Sequence, residues 1–175
     1  MTFHENSNCS IEVYFVRNSS IETQLFSDEK CFFLMILANG TISGILNHVT
    51  YTFHSSVFIC LKGSDEFKLM TVSNNAKLYI VKFTDDIIAG GFLKTILSDK
   101  NSVSLRDKYY AFQLAPFMAE RIKDRCVFIH KELLPTCINL CRQLEILMKN
   151  CHSEKDVCAA MFYFEQLLAS LTAAV

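Results

Sequence analysis

The sequence has no long hydrophobic run and no cluster of basic residues, and these two absences exclude two classes of protein. No apolar stretch approaches the roughly 20 residues that a helix needs to span a bilayer, so we expect no membrane-spanning helix. The 17 Lys and Arg residues form no patch or stripe, and with 18 Asp and Glu the formal net charge is −1. A free-standing nucleic-acid-binding chain usually shows such a patch, so we expect no DNA binding by this stretch alone.

Signals for export and for metal binding by cysteine are also missing. The first ten residues, MTFHENSNCS, lack the basic start and the apolar core of a secretory signal, so we expect a cytoplasmic protein with reduced thiols. The eight cysteines form no CxxC pair. Cys137 and Cys141 are one helical turn apart, but no His or second Cys pair accompanies them at zinc spacing. We therefore expect no metal and no cofactor.

Catalytic motifs are absent from the sequence as well. No GxSxG, P-loop, HExxH or GxGxxG pattern occurs, and Asp85-Asp86 fits a helix N-terminus better than a catalytic carboxylate pair. A divalent cation needs three or four converging N or O ligands, whereas only His48 and His54 of the five His fall in the strand-rich half. We therefore expect no catalytic residues and no enzymatic activity.

The sequence does contain a series of short β-favouring runs. Between Lys30 and Lys62 these runs are broken by turn residues at Asn39-Gly40, Asn47-His48 and Ser55-Ser56. Such spacing is typical of an antiparallel sandwich or barrel. The pattern predicts strands over 11–16, 21–26, 31–37, 41–46, 49–53, 57–61, 66–72 and 76–83. The run from Cys31 to Leu37 is apolar on both faces, so one face should line an interior and a helix, a second sheet or another subunit should cover the other.

After residue 83 the hydrophobic period changes to that of helices. Thr84 or Asp85 is a predicted N-cap, and a further helix is predicted from Arg106 to Met118 with an interruption near Pro116. Cys126 to Ile129 is predicted to be a short apolar connection.

The clearest helix is predicted from Lys131 to Lys149, where apolar side chains recur at three- and four-residue steps. Pro135 is tolerated only in a first turn, which predicts a start near Lys131 or Glu132. Ser153 and Asp156 have the spacing of a capping box for a final helix.

Taken together, these segments resemble the N-terminal effector domain of arabinose-regulator (AraC-type) transcription factors. Phe33 to Gly40 matches that family's strand ending in Gly, Gly44 to Phe53 its hairpin and aromatic strand, and Ser56 to Gly63 (SVFICLKG) its apolar strand with the closing turn. Thr84 to Leu97 stands where the family's first helix after the barrel begins.

The chain also departs from the family pattern in its turns. His54-Ser55-Ser56 stands where Pro-Gly-Asp is usual, Leu61-Lys62 replaces two prolines, and Glu66 falls where the family often has His. No counterpart of the family's two helix-turn-helix motifs occurs up to Val175. We therefore expect this chain to be the regulatory part of a longer regulator.

The resemblance implies an α+β fold with two regions. Residues 1–84 would form an antiparallel, cupin-like (jelly-roll-like) β-barrel, and residues 85–175 a helical linker and dimerisation region. It also implies a homodimer that senses a small-molecule or protein effector and contacts DNA only through the missing domain.

Candidate site residues follow from this reading. Aromatic side chains of the barrel strands could line a small-molecule pocket, and nearby polar groups could orient its ligand. The predicted ligand-binding residues are Phe33, Tyr51, Phe53, His54, Phe58, Glu66 and Lys82. The predicted dimer seam consists of Leu133, Cys137, Leu140, Cys141, Leu144 and Met148.

Alternatives remain open for both sets of residues and for the function. The aromatic residues could fill a core instead of lining a pocket, and the helical stripe could pack on the barrel, form a dimer seam, or do both. The chain could also be a metal-dependent cupin isomerase or dioxygenase, or a stand-alone dimeric interaction protein.

Overall fold

The computed structural model describes residues 11–17, 24–84, 87, 105–151 and 153–174. This part of the chain contains strands followed by helices, with one short strand between two helices. The elements are β1 (Ile11–Arg17), β2 (Gln24–Phe26), β3 (Cys31–Asn39), β4 (Thr41–Leu46), β5 (Val49–His54), β6 (Val57–Lys62), β7 (Phe67–Val72), β8 (Lys77–Thr84), α1 (Leu105–Met118), α2 (Ile122–Arg125), β9 (Cys126–Phe128), α3 (Leu134–Lys149) and α4 (Glu154–Ala173).

The strands form two facing antiparallel sheets. The first sheet has the order β1-β8-β3-β6-β9 and the second has the order β2-β7-β4-β5. All pairings are antiparallel, and among the described strands no hydrogen-bonded pairing joins the two sheets into a closed ring. The predicted α+β class is confirmed, with a jelly-roll-like sandwich in place of a closed barrel and a helical region after it.

The first sheet is buried on both faces, as the apolar run of β3 predicts. Met35 and Leu37 point into the core between the two sheets. Leu34 and Ile36 point the other way, into a core shared with the helices. Of the covers that the sequence left open, the second sheet takes one face and the helices of the same chain take the other. The order of layers is therefore second sheet, first sheet, helices.

Local turn chemistry agrees with the sequence in two places. Asn47 and His48 have φ values of 47° and 70°, which suit a two-residue hairpin turn between β4 and β5, and Leu46 pairs with Val49 across it. The capping box is also confirmed, because Asp156 N–H donates to the Ser153 side chain and the Ser153 N–H donates back to the Asp156 carboxylate.

The structure corrects three predicted boundaries. α1 continues through Pro116 to Met118, so the predicted interruption is wrong. Pro116 lacks one N–H and crowds the preceding turn, but only Phe117 and Met118 of the helix follow it. α3 begins at Leu134, not near Lys131. Residues 131–133 form a turn, in which the His130 carbonyl accepts the N–H groups of residues 133 and 134 at 3.0 and 3.1 Å.

The third correction concerns residues 126–129, which the sequence predicted as a connection. Residues 126–128 form β9, an edge strand paired with β6. The predicted helix after residue 84 lies, apart from Ile87, outside the described residues, as do residues 21–23 of the predicted second strand.

Candidate functional site

Charged side chains gather at one end of the sandwich, which we call the polar end. It comprises the start of β1, the end of β8 and the turns at residues 27–30, 47–48 and 63–66. The strand registers bring these parts together, because Ile11 pairs with Phe83 and Cys31 pairs with Thr84. β8 leaves the sandwich here on its way to the helices, so this end joins the two regions of the chain.

Lys82 occupies the inward face of this end. Cross-strand pairing places it between Glu12 of β1 and Phe33 of β3, and alternation puts it on the same face as the buried Ile80. Its Nζ lies 3.0 Å from Asp28 Oδ2 and 3.7 Å from Glu12 Oε1. Its side chain is 24% exposed, so a charged ammonium group stands at the mouth of the inter-sheet core.

The Lys82–Asp28 pair is held in its charged form. The hydrogen bond from Lys82, followed by one from Cys31, lowers the pKa of Asp28. Burial by itself would lower the pKa of Lys82, but the hydrogen bond to Asp28 and the charge of Glu12 outweigh it, so that pKa lies above its ordinary value. Each partner thus stabilises the ionised form of the other.

Two further titratable side chains complete this cluster. The Tyr14 hydroxyl donates to the Glu12 carboxylate, and burial together with this bond raises the pKa of Tyr14. Burial, and then donation to Asp28, raises the pKa of the Cys31 thiol to about 12. A thiol that stays protonated is a poor nucleophile, so Cys31 serves here as a hydrogen-bond donor.

Aromatic rings lead from the polar end across the inter-sheet core. Phe33 meets Phe26 at 6.0 Å between ring centroids, Phe26 meets Phe67 at 6.4 Å, Phe67 meets Phe53 at 6.2 Å, and Phe53 meets Tyr51 at 6.2 Å. This aromatic path connects three of the predicted ligand residues, Phe33, Phe53 and Tyr51. Its first ring, Phe33, lies beside a fourth, Lys82.

The other three predicted ligand residues, of which Glu66 belongs to the polar end, do not join the aromatic path. Phe58 is fully buried on the opposite face of the first sheet, in the core shared with the helices. His54 is exposed, with its Nδ1 3.3 Å from Thr41 Oγ1. Glu66 is exposed too, and its N–H donates to the Asn47 side chain at 2.9 Å. The structure therefore places Phe33 and Lys82 side by side, with Phe53 and Tyr51 three and four ring contacts away from Phe33. The ligand role of all seven residues stays a prediction.

The predicted dimer seam packs within the chain. Cys137, Leu140, Cys141 and Leu144 of α3 are buried in the core between the first sheet and the helices. Leu133 and Met148 are partly buried against the same core. The stripe thus has an intramolecular partner, and a further role in dimerisation stays a prediction.

Sequence reasoning missed a buried ion pair at the polar end. Arg125 Nη1 lies 2.5 Å from Asp65 Oδ2, and the two side chains are 6% and 1% exposed. The Asp65 carboxylate also accepts from the Lys62 N–H at 3.0 Å and from Asn47 Nδ2 at 2.9 Å. Arg125 Nε donates in addition to the Ala119 carbonyl. The pair ties the helical region to two turns of the sandwich, and no local pattern links residues 60 positions apart.

A cleft of about 450 Å³ lies where α1, α2 and β9 meet, and Ala174 at the end of α4 also lines it. Its lining is mostly apolar, with Lys123 and Asp124 as its charged residues. In the described part of the chain, no three His, Cys, Asp or Glu residues are grouped so that they could hold a metal ion. Nor does any helix there have the length and apolar character to cross a membrane.

Comparison with known proteins gives structural neighbours only. No family model and no curated protein matches the sequence. Similar solved structures include the cupin domain of Schizosaccharomyces pombe Cnp3, with 14% identity, 47% of this chain covered and a TM-score of 0.40. They also include the AraC-like activator CuxR (10%, 83% and 0.48) and an apo form of ToxT from Vibrio cholerae (12%, 95% and 0.48).

The neighbours thus include both cupin domains and AraC-like regulators, the two classes that the sequence resemblance named. The matched parts make up 58% of the Cnp3 chain, 43% of CuxR and 60% of ToxT, so this chain spans about half the length of these proteins.

Proposed function

We propose that this chain is the effector-sensing part of an AraC-type transcription regulator, and that a small molecule binds at the polar end of the sandwich. The observation that carries the proposal is Lys82, a charged side chain on the inward face of the sheet, beside Phe33 and the aromatic path. Ligand sites are mostly apolar, with a few polar groups that orient the ligand, and this end combines both.

The chemistry of the polar end favours a ligand with an apolar face and an anionic or hydrogen-bonding group. Lys82 offers an ammonium donor that Asp28 and Glu12 now share. A ligand oxygen that replaced Asp28 as the partner of Lys82 would keep the ammonium paired. The apolar face of the same ligand would then lie against Phe33. An uncharged hydrocarbon would leave these charges without a new partner and should bind less well.

Regulation would follow from a shift between two arrangements of this end. Asp28 lies in the turn between β2 and β3, and Lys82 lies two residues before the end of β8. A ligand that prefers the arrangement with these two side chains apart would shift the population toward it. The helical region would pass this change to a partner subunit and to DNA-binding helices elsewhere in the regulator, and we propose both the homodimer and this route.

The test is a ligand screen by thermal denaturation with matched variants. A panel of sugars, amino acids and small aromatic acids is added to the wild-type chain, to Lys82→Met and to the control Lys68→Met, whose side chain is exposed on the second sheet. We expect at least one compound to raise the Tm of the wild type and of Lys68→Met but not that of Lys82→Met. A ligand that stabilises all three equally, or a panel with no effect on any, would count against a site at Lys82.

A further inference from the structure

We propose that the cleft formed by α1, α2 and β9 is a second small-molecule site, separate from the polar end, and that it binds a compact apolar anion. The cleft has a volume of about 450 Å³, within the usual range of small-molecule sites. This inference does not depend on the proposed function.

The walls of the cleft account for the apolar part of the ligand. Pro116 and Ala119 line it from the end of α1 and the residues that follow, and Val127 lines it from β9. Phe112 and Phe128 also line it, yet their side chains are 55% and 60% exposed. A flat ligand in contact with these exposed rings would remove apolar surface from water, which favours binding.

The charges at the cleft decide the sign of the ligand. The Asp124 carboxylate is already engaged, because Arg121 Nε donates to its Oδ2 at 2.7 Å. Lys123 is exposed and, within the described part of the chain, its ammonium group has no hydrogen bond or ion pair. A ligand therefore meets an available cation and a neutralised anion, and a carboxylate on an apolar body satisfies both conditions.

The buried ion pair between Arg125 and Asp65 holds one wall of the cleft in place. Arg125, between the lining residues Asp124 and Cys126, turns away from the cleft to bind Asp65 and the carbonyl of the lining residue Ala119. The bond from Arg125 to the Ala119 carbonyl fixes α2, one wall of the cleft, to the residue that follows α1. The wall formed by Ala119 and α2 is consequently held in place before a ligand enters, which reduces the ordering cost of binding.

The test uses isothermal titration calorimetry with two probes of the same shape, indole-3-acetate and the uncharged indole-3-ethanol. Five proteins are compared: the wild type, Lys123→Gln, Ala115→Trp, the control Lys131→Gln, and Lys82→Met, which reports on the polar end. Ala115 is exposed and lines the cleft, so a Trp there should fill the space without disturbing the core. Lys131 is also exposed but is not among the lining residues.

We expect indole-3-acetate to bind the wild type with a Kd of about 1 mM or tighter. Lys123→Gln should weaken this binding about fivefold, as for loss of one exposed ion pair, and should leave indole-3-ethanol within about twofold. Ala115→Trp should weaken both probes about tenfold or more, and Lys131→Gln should change neither. These differences would assign the site and the sign of its charge.

Three outcomes would overturn the proposal. The first is no binding of the acid to the wild type. The second is binding that survives Ala115→Trp but is lost in Lys82→Met, which would place the probe at the polar end and support the proposed function alone. The third is a concentration-dependent dimer in sedimentation velocity that Ala115→Trp abolishes, because a second copy would then cover the cleft.

Discussion

Replacing Arg125 by Met should destabilise this chain far more than the same replacement at Arg121. Both arginines belong to the α2 segment and each pairs with an aspartate, Arg121 with Asp124 at 2.7 Å and Arg125 with Asp65 at 2.5 Å. They differ in burial: the side chains of the first pair are 69% and 40% exposed, and those of the second are 6% and 1% exposed. The comparison therefore sets a buried pair, whose arginine also donates to the Ala119 carbonyl, against an exposed pair of the same type.

The expected magnitudes follow from what each substitution leaves behind. Without Arg125, the Asp65 carboxylate stays buried with only Asn47 and the Lys62 N–H as donors, and breaking a buried pair in this way costs about 3–5 kcal/mol. Without Arg121, Asp124 is solvated, and the loss is about 0–1 kcal/mol. In a chain of 175 residues, each kcal/mol shifts the Tm by about 2–4 °C. Arg125→Met should thus lower the Tm by about 6–20 °C and Arg121→Met by less than about 4 °C.

Urea unfolding followed by circular dichroism at 222 nm measures both variants, with a thermal scan as a check. Asp65→Asn, alone and combined with Arg125→Met, completes a double-mutant cycle. We expect the double variant to lose about 1–3 kcal/mol less than the sum of the losses of the two single variants. Equal midpoints for Arg125→Met and Arg121→Met, or an additive cycle, would refute the reasoning that this pair ties the helices to the sandwich.

Two more predictions concern the inter-sheet side of the first sheet and its neighbour. Because the pKa of Asp28 is lowered on folding, Asp28 stabilises the folded chain above pH 3.8, and this stability is lost as the pH falls through the folded pKa. Because the pKa of Lys82 is raised on folding, Lys82 stabilises the folded chain below pH 10.5, and this stability is lost as the pH rises through the folded pKa. Lys82→Met should therefore flatten both ends of the plot of urea midpoint against pH, by about 1 kcal/mol or less at each because the groups are partly exposed, and an unchanged plot would contradict the pairing. Gly44→Ala would place a Cβ 2.5 Å from the Phe67 ring and should destabilise by about 1–3 kcal/mol in urea unfolding, more than the control Ser43→Ala, whereas an equal loss would show that the ring moves aside freely.

The elements that depend on local pattern could be predicted from the sequence. The two-sided apolar run of β3, the Asn47-His48 turn and the Ser153 capping box each follow from a few neighbouring residues, and the structure has all three. Lys82 and Phe33 could be named as ligand candidates for the same reason. Their position side by side, however, depends on the pairing of β8 with β3, which no short pattern encodes.

The features that escaped prediction are those whose partners are distant in the chain. Residues 126–128 are too few to show a period, and they form a strand only because the edge of β6 accepts them. Asp65 looks like an ordinary turn residue and Arg125 like an ordinary surface cation until the fold buries both. Tertiary context, not propensity, decides such positions.

The same distant contacts support the proposal that the polar end senses a ligand. Toward the middle of the sandwich the inward positions hold buried apolar side chains such as Met35 and Ile80, so a ligand there would have to displace packed core. At the polar end the Asp28 N–H donates to the Gly63 carbonyl at 3.3 Å, and a Cβ at Gly63 would overlap the Asp28 carbonyl. The turn that carries Asp28 thus lies directly against the turn that carries Asp65. A ligand that drew Asp28 away from Lys82 would loosen the contact between Asp28 and Gly63, two residues from Asp65 of the buried pair. The helices that are bound to Asp65 through Arg125 would be displaced in turn.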